Sequence, residues 1–159
     1  MRNVSEYIDV ILEHEGGCVN DPNDPGGETN FGICKRQFPE LDIKNLTVNQ
    51  ARGIYLEKYW KPMKLDLIQN ELLKLHLFDM GVNAGIGTAI KLLQRILNCK
   101  EDGDLGPVTS KLANEYKGDI VEEYKSSRIE YYGDLVKKKP TLLKFLRGWI
   151  TRVNNTKFK

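Results

Sequence analysis

The amino-acid sequence predicts an all-α protein with room for at most one short β-hairpin. Three observations carry that expectation. Apolar residues recur at helical spacing through nearly every segment. No segment alternates convincingly between apolar and polar residues, as a half-buried strand would. The irregular stretch "EHEGGCVNDPNDPGGETNFG", residues 13–32, holds five glycines and two prolines and little that could build a core. Residues 18–38 are the one place where a hairpin fits.

Each helix has its own signal. Val4, Tyr7, Ile8, Ile11 and Leu12 lie at i, i+3, i+4, i+7 and i+8, with Asn3 as N-cap and Glu6 as its capping-box partner. Gly16 and Gly17 end this helix, because glycine readily takes the left-handed C-cap conformation. A second helix starts at Thr47, boxed by Gln50, and runs through Ala51, Ile54 and Tyr55 to Tyr59, where Pro62 stops it. The third, "ELLKLHLFDMGVNAG", is apolar on most sides and belongs in the middle of the protein. A fourth covers Thr88 to Leu97, with Ile90, Leu93, Ile96 and Leu97 inward. The turn "CKEDGDLGP" follows, and Pro107 opens a short helix at its first position. Two more span Ile120–Val136 and Thr141–Val153, the latter with Leu142, Leu146, Trp149, Ile150 and Val153 on one face. The only soft boundary lies at Gly85–Gly87.

Composition narrows the function. The chain has 159 residues, enough for one domain with a proper core. A formal net charge of +2 argues against a dedicated nucleic-acid binder. No apolar run approaches a membrane span. Glu6 and Asp9 interrupt what would be the apolar region of a secretory signal. Cys18, Cys34 and Cys99 form no CxxC pair and read as free thiols, with a Cys18–Cys34 bridge as the alternative. No metal is expected, since His14 and His76 are the only histidines and there is no HExxH. A calcium loop on "DPNDPGGETNFG" fails because its fifth position is Pro25 and its twelfth is Gly32, where a bidentate Glu is required.

Glu15 is the first candidate for chemistry. If the first helix runs one turn further, Glu15 stands three residues from Leu12 and four from Ile11, on the apolar stripe. A carboxyl there loses hydration, which favours its neutral form. The negative end of the helix dipole acts in the same direction. A carboxylic acid that keeps its proton is what glycoside hydrolysis needs as general acid. The plainer reading is a Glu that caps a loop or pairs with an Arg.

The loop after Glu15 adds a resemblance. "EGGCVNDPNDPGGETNFGI" resembles the signature of glycoside hydrolase family 108, the N-acetylmuramidases typified by phage endolysins. "LTVNQARGIYLEKYW" is similar to the family's second helix and its Tyr-Trp, and "LFDMGVNAGIGTAIKLLQ" to its central helix. "DGDLGPVT", with the late "RIEYYGDLV" and "FLRGWITRVN", resembles the peptidoglycan-binding segment usually fused behind it. Cys18 departs from the pattern, since an aromatic residue usually follows Glu-Gly-Gly.

The resemblance implies a lysozyme-like helical fold. It implies a catalytic region at residues 1–87 and a helical peptidoglycan-binding region at 88–159 packed on it. Glu15 would be the acid that cleaves the β-1,4 bond from N-acetylmuramic acid to N-acetylglucosamine. Asp24, nine residues after Glu15, and Thr29, five further, approach the Glu–Asp–Thr spacing of phage-type lysozymes, in which Asp and Thr place the attacking water. The Thr spacing is one residue short. Asp21 and Glu28 are rivals, and Asp21 and Asp24 each sit beside a proline where either could simply close an Asx-turn.

Tyr59 and Trp60 could stack on sugar faces or fill the core. Asp79 and Asn83 share one face of the buried helix; Asp79 reads as structural, while Asn83 either ties the loop to the helix or binds an acetamido group. The run Lys137–Lys139 reads as a solvated helix end. No cofactor is expected, and the monomer is the expected state. The resemblance further implies synthesis in the cytoplasm and passage to the wall with a holin or secretion factor. Two rivals are a lytic transglycosylase, which needs no second carboxylate, and a non-catalytic peptidoglycan-binding or effector module.

Overall fold

The structure is a computed structural model. It describes residues 1–15, the backbone at 19–20, and 27–159. The described residues are mostly helical with one small antiparallel sheet, the lysozyme-like all-α class that the sequence predicts. They form two compact units, residues 2–58 and residues 59–159 together with Met1.

The first unit begins with α1 (Val4–His14). Its capping box is complete: the Asn3 side chain accepts from the Ser5 N–H, and Glu6 accepts from the Asn3 N–H at 2.9 Å. Tyr7, Ile8, Val10 and Ile11 are buried. The sheet consists of β1 (Val19–Asn20), β2 (Glu28–Asn30) and β3 (Ile33–Cys34) in that order. Val19 pairs with Thr29, and Thr29 with Cys34. Then α2 (Val48–Tyr55) starts at the predicted Thr47–Gln50 box and packs on α1. Arg52 reaches Asp9 at 2.6 Å, a half-exposed pair worth less than about 1 kcal/mol.

Pro62 does not stop this helix. The chain widens into a π-helical turn at Leu56–Trp60 and continues as α3 (Lys61–Met63), with Pro62 in its first turn. A proline lacks only an N–H, which the first turn of a helix does not need. Termination falls instead to Lys64, whose φ of +55° is left-handed.

The second unit is built on α4 (Glu71–Ala84), whose residues 73–81 are all buried. It packs against α5 (Ile86–Ile96) and α7 (Ile120–Lys138), and α7 against α8 (Leu143–Asn155). Between them, α6 (Pro107–Asn114) opens with its predicted proline. Gly85, at φ +99°, makes the joint between α4 and α5 a single residue. The predicted inner face of α8 is covered unevenly. Val153 is buried, while Leu142, Leu146, Trp149 and Ile150 are half-buried. Trp149 stacks on Tyr132 at 4.9 Å.

One buried charge joins three of these helices. Asp79 on α4 is fully buried. It accepts from Arg128 on α7 at 2.5 Å and from Arg152 on α8 at 2.9 Å. Burial pushes its carboxyl up, but Arg152 and Arg128 outweigh that and hold it below the usual range. Arg128 also donates to His76 Nδ1 at 2.9 Å. A guanidinium can only donate, so Nδ1 must accept and the ring is neutral. Burial, with Arg128 beside it, lowers the His76 pKa to about 3.

Two outcomes follow. Asp79→Ala should cost about 3–5 kcal/mol in denaturant unfolding, because it strands a buried guanidinium. His76 is neutral when folded and titrates near 6.5 when unfolded. The unfolded chain therefore binds the extra proton between those values, and stability falls as pH drops from 6.5 toward 3. The contribution is about 1.4 kcal/mol per pH unit. His76→Gln, which still offers Arg128 an acceptor, should remove that slope when unfolding is followed across the window.

Candidate active site

The described part of the opening loop places Glu15 differently from the helical extension. α1 ends at His14, and Glu15 is its C-cap, with φ −92° and ψ 119°. Its N–H still donates to the Ile11 carbonyl at 3.0 Å. The backbone leaves the helical path at this residue's ψ, and its side chain is half-buried. Gly16, Gly17 and Cys18 lie outside the described residues, as do Asp21 and Asp24. Cys34 and Cys99 are free thiols.

Glu15 is bounded by the turn of a hairpin. β2 and β3 are joined by two residues, Phe31 and Gly32, with φ of +52° and +75°. Two successive positive φ values mark the type I′ turn that suits the twist of paired strands. Gly32 accepts this conformation freely, whereas Phe31 holds it at a cost of about 1–3 kcal/mol. Two long-range anchors hold the strained turn. The Tyr55 hydroxyl donates to the Phe31 carbonyl at 2.5 Å. The buried Asn30 amide donates to the Ile43 carbonyl at 3.1 Å.

The turn comes close to Glu15. A Cβ on Gly32 would lie 2.6 Å from the Tyr55 hydroxyl oxygen and 2.7 and 2.8 Å from Glu15 Cγ and Cδ. Only a residue without a side chain fits there. The carboxyl of Glu15, the phenol of Tyr55 and the backbone of Gly32 thus meet around one point. Tyr55 was read from the sequence only as a helix core residue. Its role at the turn needs a contact across 24 positions that no local pattern announces.

The other candidates fall in different places. Thr29 sits on β2, half-buried, with its hydroxyl 3.5 Å from the Gly27 carbonyl. It points away from the face that carries buried Asn30, as alternate strand residues do. Glu28 neighbours it on the same strand. In the second unit, Trp60 is 3% exposed and set edge-on against Phe78 at 5.3 Å, a core position. Tyr59 is half-buried. Asn83, near the end of α4, takes a hydrogen bond from the Tyr132 hydroxyl through its amide oxygen. Asp79 serves the buried charge cluster described above.

The turn "CKEDGDLGP" is organised by a residue that the sequence reading passed over. Gln94 is buried; its amide nitrogen is 2.7 Å from Asp102 Oδ1, 3.1 Å from the Asp104 carbonyl and 3.2 Å from Thr109 Oγ1. Its oxygen accepts from the Gly103 N–H at 2.9 Å. A buried amide that holds three residues of the loop and Thr109 in the first turn of α6 fixes the loop's shape.

The chain is also similar to known proteins. Residues 8–85 match the family model described as Glycosyl hydrolase 108. Residues 88–154 match one described as a Predicted Peptidoglycan domain. Among solved structures, the chain is similar to SagA of Brucella abortus, with 27% identity and a TM-score of 0.81 over 96% of this chain and 90% of that one. None of the curated proteins matches.

The close approach at position 32 can be tested directly. Gly32→Ala should destabilise the unit by more than the roughly 1–2 kcal/mol that left-handed alanine costs, because the methyl also strikes Glu15 and Tyr55. Tyr55→Phe should keep the helices, seen by circular dichroism, and lower glycan-cleaving activity as the turn loosens.

Proposed function

From the premise that residues 8–85 place this chain in the glycosyl hydrolase 108 family, we propose that it is an N-acetylmuramidase with Glu15 as general acid. That it is a glycoside hydrolase acting on peptidoglycan follows from the two matched segments together. The finer reading names the bond and the residues. The bond is the β-1,4 link from N-acetylmuramic acid to N-acetylglucosamine. Residues 1–87 carry the chemistry, and 88–159 hold the wall polymer.

The observation that carries the acid role is the approach of Gly32 to Glu15. A strained turn, pinned by Tyr55 and Asn30, fixes the carboxyl from one side and adds no side chain of its own. A carboxyl meant only to cap a loop would not need a glycine pressed against its Cδ. In the proposed reaction Glu15 gives its proton to the leaving glycosidic oxygen as the bond to the muramic acid carbon breaks. Asp24 is the proposed base for the attacking water, with Thr29 helping to orient it. Such an inverting pair needs its carboxyls about 6.5–9.5 Å apart, against about 5–5.5 Å for a retaining pair. Tyr59 and Asn83 are the proposed sugar contacts, and Asp21 a further one; Trp60, 3% exposed, has no ring face to offer a sugar. The working unit is taken as a monomer that needs no cofactor.

Access to the wall is part of the proposal. No helix among the described residues is long and apolar enough to cross a membrane. The chain would meet its substrate through a holin or secretion factor.

The test is Glu15→Gln on purified peptidoglycan. Loss of a proton donor costs about 10²–10⁴ in rate. Sugar release should fall by that factor while the unfolding midpoint stays put. Mass spectrometry of the parent enzyme's products should show reducing muramic acid ends; anhydromuramic ends alone would mean transglycosylation. Full activity in Glu15→Gln would remove Glu15 from the mechanism.

A further inference from the structure

The charges of this chain are segregated along its length. All 22 Asp and Glu lie at or before Asp134. Residues 135–159 contain eight Lys and Arg and no acid, so the modest net charge of +2 conceals −6 over residues 1–134 and +8 over the last 25. One of the eight, Arg152, is committed to the buried Asp79. Lys137, Lys138, Lys139, Lys144 and Arg147 are all exposed, and none has a salt bridge among the described residues.

These cations share a corner with exposed apolar side chains. α7 ends at Lys138, a 3₁₀ turn covers Pro140–Leu142, and α8 begins at Leu143. Leu143 is 62% exposed and Phe145 47% exposed, among the most exposed large apolar residues of the described chain. A shallow groove of 340 Å³, lined by Leu143, Leu146, Arg147, Ile150 and Thr151, runs along α8 from Leu143, while Phe145 stands at the same helix start, tilted against Trp149 at 5.9 Å. Lys144 sits 5.1 Å from the centre of the Phe145 ring.

We propose that this corner, Lys137–Lys139 with the outer face of α8, docks on an anionic phospholipid surface. The lysines and Arg147 meet headgroup phosphates, while Leu143 and Phe145 enter the shallow acyl boundary. Charge complementarity selects a polyanion, and the apolar residues select a bilayer among polyanions. A hydrated glycan strand offers Leu143 nothing to bury against, and neither does a nucleic acid backbone. A helix with cations beside exposed Leu and Phe, and too short to span, is the form that lies in a membrane interface. The inference does not depend on Glu15 or on the bond cleaved.

The experiment uses the full chain with two vesicle compositions, phosphatidylcholine alone and phosphatidylcholine with phosphatidylglycerol. Co-sedimentation should favour the anionic vesicles by at least about tenfold and weaken as salt is raised. K137E/K138E/K139E should reduce that binding by on the order of a hundredfold or more. L143S/F145S should also reduce it, chiefly at high salt where the charge contribution is screened. All these positions are exposed, and unchanged circular dichroism would confirm folding. Glu15→Gln should bind vesicles as the parent does, which keeps this proposal separable from the catalytic one. Equal binding to both vesicle types would overturn it. So would L143S/F145S binding unchanged, which would leave only a polyanion contact. So would a charge-reversed triple variant that loses purified peptidoglycan but keeps its vesicles.

Discussion

The carboxylate of Asp79 is the interaction on which the larger unit depends. It is fully buried on the central helix and takes hydrogen bonds from two other helices, α7 and α8. Removing such a charge from water is costly, and the cost is offset only if every lone pair finds a donor. Arg128 and Arg152 supply those donors, and Thr156 adds its hydroxyl at 3.3 Å. Arg128 in turn requires a partner that does not repel it, which is why His76 must be neutral. An apolar cluster would hold three helices together as strongly, but it would tolerate sliding. A carboxylate between two guanidinium groups fixes which turn of α8 faces which turn of α4.

This also explains why two ways of dividing the chain disagree. The family models meet between residues 85 and 88. The compact units meet between 58 and 59. The helix in dispute, α4, carries the glycosyl hydrolase pattern in its sequence, yet it buries its residues among α5 and α7 and gives Asp79 to α8. Inherited sequence boundaries and packing boundaries answer different questions. Here a helix that belongs to the first segment by sequence supplies the core of the second.

Local signals were legible in the sequence and long-range ones were not. Both capping boxes, at Asn3 and Thr47, involve residues three apart and could be read directly. The same holds for the buried α4, which is apolar on most sides and so belongs in the interior. Pro62 was misread because the rule that proline ends helices assumes an unbroken α-helix, and a π turn intervenes. Glu15 is legible in the sequence as the residue that closes α1 beside its apolar stripe. What surrounds it was invisible. Phe31 gives no hint of a left-handed conformation, because bulky residues avoid it unless distant contacts enforce it. Tyr55 and Ile43, which enforce it, lie 24 and 13 positions from the residues they hold. Gln94 gives no signal for the same reason: its partners in the loop and at the start of α6 lie eight to fifteen residues on.

The placement of strain follows from these anchors. Residues 2–58 bury a modest set, chiefly Tyr7, Ile8, Ile11, Ile33, Ile43, Ala51 and Tyr55. A core of that size rarely supplies more than about 3–5 kcal/mol on its own. Holding Phe31 at positive φ consumes a sizeable part of that, about 1–3 kcal/mol. Replacing Phe31 with glycine or asparagine would relieve the backbone, since both tolerate the left-handed region. The turn keeps Phe31 even so, and with it a cost that its fold gains nothing from locally. The strain is tolerable only because Tyr55 and Asn30 grip the turn at Phe31 and Asn30, just before Gly32. What the strained geometry secures is the bare glycine backbone against the carboxyl of Glu15. A relaxed loop of another turn type would leave that carboxyl without a fixed boundary, and the proton donor proposed for this chain must be held still.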